Sequence, residues 1–92
     1  MKIKKTSQFK KDYKLIKKRG YDISLLKTVV KLIQQGDQQE RLVKEYDDHP
    51  LEGNWKGHRE LHIQSNWLLI YYIREDVLVL SLVRTGSHSD LF

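Results

Sequence analysis

The sequence predicts an α+β fold in which an N-terminal helical hairpin packs on one face of an antiparallel sheet of about four strands. Three observations predict it. Apolar residues recur at helical spacing through the first 36 positions, the last 35 are rich in β-formers, and the stretch between keeps no sustained period. Ninety-two residues suit one compact domain, so a single domain over 1–92 is expected.

Met1 to Lys5 reads as a short strand. Phe9, Tyr13 and Ile16 then fall at i, i+4 and i+7 among lysines, the pattern of an amphipathic helix. Thr6 or Ser7 can cap its start and Gly20 its end. Asp22 is a suitable N-cap for a second helix, whose broader apolar face runs from Ile23 to Ile33 before Gly36 stops it. Residues 37–57 contain the only proline and two of the five glycines, and read as a long ordered connection.

"HRELHIQ" alternates, placing His58, Glu60, His62 and Gln64 on one face and Leu61 and Ile63 on the other. "NWLLIYYI" is apolar throughout, as in a central strand, and "VLVLSLVR" follows after the turn signal Arg74-Glu75-Asp76. The three segments form a meander with a polar working face on its first strand.

Composition narrows the chemistry. With no cysteine, disulfides, thiolate nucleophiles and Cys-based zinc sites are excluded. No apolar run approaches the roughly 20 residues that span a bilayer, and the basic N-terminus lacks a signal-peptide core. A cytoplasmic protein with no membrane contact is therefore expected. Formal charge is +5, and nine of seventeen Lys and Arg residues lie in the first nineteen positions against only Asp12. Such a cationic segment suits a phosphate backbone, the alternative being a solvated helix face.

Four histidines are present: His49, His58, His62 and His88. His58 and His62, four apart on a strand, are separated by roughly 13 Å, too far to share one metal ion without a bend. No metal or other cofactor is expected. Imidazole can act as acid or base near neutrality. RNA cleavage needs a base for the 2′-hydroxyl, an acid for the 5′-oxygen and cations for the charged phosphorane. Histidines beside Arg84 and Lys56 would meet those needs without a metal. Glu60 shares the face of His62 and can orient it or serve as a carboxylate base. Arg84 can grip phosphate with two hydrogen bonds, its alternative being a strand-end ion pair with Asp90 or Glu60. Trp55 and Trp67 read as core or loop anchors.

The segments "TSQFKKDYKLIKKRGYD", "DHPLEGNWKGHRELHI", "NWLLIYYI" and "RTGSHSDLF" resemble, in order, the YafQ branch of the RelE/ParE toxin superfamily. The resemblance implies a RelE-like compact microbial RNase fold and a type II toxin–antitoxin toxin. It implies ribosome-dependent, metal-independent cleavage of mRNA in the A site, leaving a 2′,3′-cyclic phosphate. The implied partners are the ribosome and mRNA, a DinJ/RelB-like cognate antitoxin, and operator DNA only through that antitoxin. The family's active-site pattern falls on His49, His62, Asn66, His88 and Phe92. Asn66 departs from it, because the pattern has aspartate there. An amide can orient a neighbour but cannot act as a base at neutral pH. Two other readings follow from that change: a noncatalytic RNA- or ribosome-binding module, and an antitoxin-dependent transcriptional corepressor. His58 stands where the pattern has an aromatic residue and reads as RNA-facing or incidental.

Overall fold

The computed structural model describes residues 1–92. In chain order it comprises β1 (Lys2–Lys5), α1 (Ser7–Lys18), α2 (Ile23–Gln35), α3 (Gln39–Tyr46) and β2 (His49–Pro50). A 3-10 turn (Gly53–Trp55), β3 (Arg59–Gln64), β4 (Trp67–Arg74), β5 (Val79–Gly86) and α4 (His88–Leu91) follow. The sheet order is β1-β5-β4-β3-β2, with β1 parallel to β5 and the other pairs antiparallel.

The helices begin and end on the residues the sequence offers. The Thr6 side chain accepts from the Phe9 amide and donates to the Val83 carbonyl at 2.8 Å, so one cap starts α1 and ties it to β5. Asp22 caps α2, which ends at Gly36 with φ +75°. Phe9 and Ile16 of α1 and Leu26, Val29, Leu32 and Ile33 of α2 bury against Leu61, Leu69, Tyr71, Leu80 and Leu82 of the sheet. The hydrophobic core thus lies between the helices and one sheet face. The two helices leave between them a groove of about 720 Å³, with Phe9, Tyr13, Leu26 and Val30 in its lining and Lys10, Lys14, Lys17, Lys27 and Lys31 around it.

The structure differs from the sequence expectation in residues 37–57 and just before β5. Residues 37–57, expected as one long ordered connection, hold a helix, a two-residue strand and a 3-10 turn. Of the eight residues of α3 only Leu42 is buried, so a single anchor replaces the stripe that would have signalled a helix. His49–Pro50 adds a fifth strand, too short for a two-residue period to appear. Val77 and Leu78 are exposed and precede β5; Leu78 takes φ +51° in the turn.

Candidate active site

The sheet face away from the helices has a small floor of its own, in which Leu68, Ile70 and Leu91 are buried and Leu51, Trp55 and Val83 pack against them. β3 alternates across the sheet as its sequence does: Leu61 and Ile63 enter the core, and Glu60 and His62 face the other way. His62 stands opposite Leu68, and Leu68 opposite Gly86. Two strand spacings, about 10 Å, therefore separate the His62 backbone from the point where the C-terminal segment turns. β2 pairs His49 directly with Glu60.

These pairings build a polar cluster. His49 Nε2 lies 3.3 Å and His62 Nε2 4.0 Å from Glu60 Oε1. The two imidazole rings are edge to face with centroids 6.3 Å apart. Glu60 is 5% exposed, and its Oε2 has no hydrogen-bond partner. His49 Nδ1 lies 2.6 Å from the Asp47 carbonyl, which can only accept, so Nδ1 carries a hydrogen. His49 Nε2 is thereby turned toward the Glu60 carboxyl.

The C-terminal segment forms the second part. Gly86 takes φ +155°, and a Cβ there would come within 3.1 Å of Asp90 Oδ2. Asp90 and Ser87 form a reciprocal capping box that starts α4, and Arg19 of the α1 end binds Asp90 at 2.8 Å. The Ser87 amide and the Arg19 guanidinium together pull the Asp90 carboxyl down to about 2. Asn66 Oδ1 accepts from the His88 amide at 3.2 Å, so Asn66 holds the backbone that carries His88. The His88 and Phe92 rings lie 5.1 Å apart, and Phe92 reaches to 6.4 Å from Trp55. Leu91 anchors this segment to the floor while Phe92 stays 56% exposed.

The five residues fall in two groups, His49 with Glu60 and His62, and Asn66 with His88 and Phe92. Arg84 is tied through Nε and Nη2 to Asp12, which also accepts from the Thr85 amide, rather than to Asp90 or Glu60. Hydrogen bonding to Asp12 raises the Arg84 pKa further, so its charge is fixed. A bulge in β5 beside Arg84 re-aims this strand end. Lys56 is exposed just after the 3-10 turn. His58 lies before β3, between the rings of Trp55 and Tyr72, with centroids at 5.4 and 5.1 Å. Trp67 is a core residue whose Nε1 donates to Thr85 at 2.9 Å.

Two carboxylates escaped the sequence reading. Asp48 is buried and accepts from Arg59 at 2.5 Å and from the Tyr71 hydroxyl, whose pKa is raised by burial and by this contact. Asp47 approaches His62 Nδ1 at 3.4 Å. The doublet before His49 was the available signal, but adjacent acids in a connection look like solvated charges. No group of three or more His, Asp or Glu side chains is arranged to hold a metal ion.

The family model described as the bacterial toxin of type II toxin-antitoxin systems, YafQ, matches residues 1–92. The mRNA interferase toxin YafQ of Escherichia coli K12 is 39% identical over 90 residues, 98% of this chain and 94% of the relative. Among solved structures, the E. coli DinJ–YafQ complex aligns at TM-score 0.85 and 39% identity, covering 98% of this chain and 96% of that one. A metal-bound toxin from Helicobacter pylori aligns at TM-score 0.88 and 40% identity, covering 100% and 99%. A match over the whole chain in sequence and in fold means that this chain belongs to the YafQ toxin family.

Proposed function

We propose that this chain is an mRNA interferase, the toxin of a type II toxin–antitoxin pair, and that it acts as a single domain over residues 1–92 in the cytoplasm. The observation that supports this reading is the cluster of His49, Glu60 and His62 on a sheet whose C-terminal strand leads into a short helix bearing His88 and Phe92. Acid–base chemistry needs two proton-carrying groups on either side of a phosphate, and such groups contribute about 10²–10⁴-fold in rate each.

The substrate is ribosome-bound mRNA displayed in the A site. The 2′-hydroxyl loses its proton to a base and attacks the adjacent phosphorus. The P–O5′ bond breaks, the 5′-oxygen takes a proton, and the products are a 2′,3′-cyclic phosphate and a 5′-hydroxyl. His49 and His88 are the acid–base pair. His62 is the third member, coupled to His49 through Glu60. Arg84 keeps Nη1 uncommitted and offers its charge to the phosphorane. Phe92, exposed beside His88, stacks on a base, and Lys56 binds the RNA backbone. Asn66 acts through its bond to the His88 amide. No step requires a metal.

Two partners follow. The exposed lysines of α1 suit ribosomal RNA. The lysine-rimmed apolar groove between α1 and α2 suits an acidic amphipathic segment of a DinJ/RelB-like antitoxin, by charge complementarity and an apolar floor. Operator DNA would be reached only through that antitoxin. No helix is long and apolar enough to cross a membrane.

The test is induction of this chain alone in a bacterial host. Growth arrest that is relieved by a co-expressed antitoxin from a small neighbouring reading frame supports the reading. Normal growth, with the chain folded and present, favours the corepressor, and arrest without new mRNA ends favours a noncatalytic ribosome binder.

A further inference from the structure

The residue that ends α3 is poorly chosen for a helix end. Asp47 sits in the left-handed region at φ +54°, ψ +39°, where glycine or asparagine is preferred, and it places a carboxylate against the negative end of the helix. Aspartate is tolerated in that conformation, but its charge opposes the helix end. Its carbonyl oxygen lies 2.6 Å from His49 Nδ1 and its Oδ2 3.4 Å from His62 Nδ1. One residue meets the same nitrogen of both imidazoles.

The backbone around Asp47 is held from both sides. Its amide donates to the Val43 carbonyl at 3.1 Å, and the next residue, Asp48, is buried under Arg59 and Tyr71. The charged and titratable groups facing His62 are Asp47 from the end of α3, His49 from β2 and Glu60 from its own strand. A contact at one ring nitrogen sets which nitrogen carries the hydrogen and which way the other points.

We propose that Asp47 is a positioning residue for both histidines, its backbone carbonyl orienting His49 and its carboxylate orienting His62. Each ring carries its hydrogen on Nδ1 and turns Nε2 toward Glu60 and the open face. The 3.4 Å contact is at ion-pair range, and the Asp47 carboxylate reaches it from the solvent side, 72% exposed. The inference rests on the ribonuclease reading only for its consequence in cleavage, and its geometry stands apart from that reading.

Two variants of the full chain test it. Asp47→Gly keeps the left-handed cap and the carbonyl but removes the carboxylate, and Asp47→Asn keeps a neutral acceptor. Ring-nitrogen NMR of histidine-labelled protein is read in mildly alkaline buffer, where an unperturbed imidazole is neutral. In the unsubstituted protein both rings should show hydrogen on Nδ1. In Asp47→Gly, His49 should be unchanged and His62 should move to hydrogen on Nε2, with no loss of Tm. The kcat for ribosome-bound mRNA should fall about 10-fold with KM held within about twofold. Asp47→Asn should recover most of both signals. An Asp47→Gly protein with the His62 tautomer or the kcat unchanged would overturn the proposal. If the unsubstituted chain cuts no mRNA, the ribonuclease reading falls, and the nitrogen shifts alone decide where Asp47 acts.

Discussion

The two faces of the sheet are closed to different degrees. On the helix side, fourteen buried side chains form one continuous cluster drawn from α1, α2, α3, β3, β4 and β5. On the other side the buried apolar set is Leu68, Ile70 and Leu91. That second face also carries a buried carboxyl oxygen with no partner, Glu60 Oε2, a cost of about 1–3 kcal/mol that a face built for stability would not carry. The contrast separates tasks. The helix side holds the chain together, and the open side holds polar groups that packing alone would have excluded.

The contrast can be broken first at its strongest point. Leu69 is fully buried in the large cluster, so Leu69→Ala should cost about 2–5 kcal/mol in denaturant unfolding. Removing Leu91, a member of the small cluster, together with the exposed Phe92 should cost about 2 kcal/mol yet reduce mRNA cleavage at least about tenfold. Equal losses of stability, or a truncated protein that cleaves normally, would remove the distinction between the faces.

A smaller effect sharpens it. Asp90 holds α4 to Arg19 and to the Ser87 amide, and its folded pKa lies at about 2 against an ordinary value of 3.8. Because the folded value is depressed, the contribution is complete above about pH 4 and is lost as pH falls through about 2. Melting curves between pH 5 and pH 2 should therefore show an acid-dependent loss that Asp90→Asn reduces. A variant whose acid profile matches that of the unsubstituted protein would show that this anchor does not contribute.

Much of this was legible in the sequence where periodicity was strong. The caps at Thr6 and Asp22, the two long helices and the three-strand meander follow from spacing alone, as does the division of Glu60 and His62 from Leu61 and Ile63. The stretch from Asp37 to Gly57 was not legible, because α3 buries one side chain and β2 has two residues, too little for any period. The pattern histidines were found through family resemblance, since in sequence they are up to 39 positions apart (His49 to His88) and only the register of β2, β3, β4 and β5 brings their strands together. Asp12 as the partner of Arg84 and Asp47 as the neighbour of His62 were hidden for the same reason. Each is a long-range contact made by an ordinary-looking acid.

The most direct test of the account is the chemistry of the ends that this protein leaves on ribosome-bound mRNA, compared with those left by His88→Ala. With the unsubstituted chain, new 5′-hydroxyl and 2′,3′-cyclic phosphate ends should appear at A-site codons. With His88→Ala, at least about a 100-fold loss is expected at unchanged Tm. Undiminished cleavage by folded His88→Ala, or ends bearing a 5′-phosphate, would contradict the account.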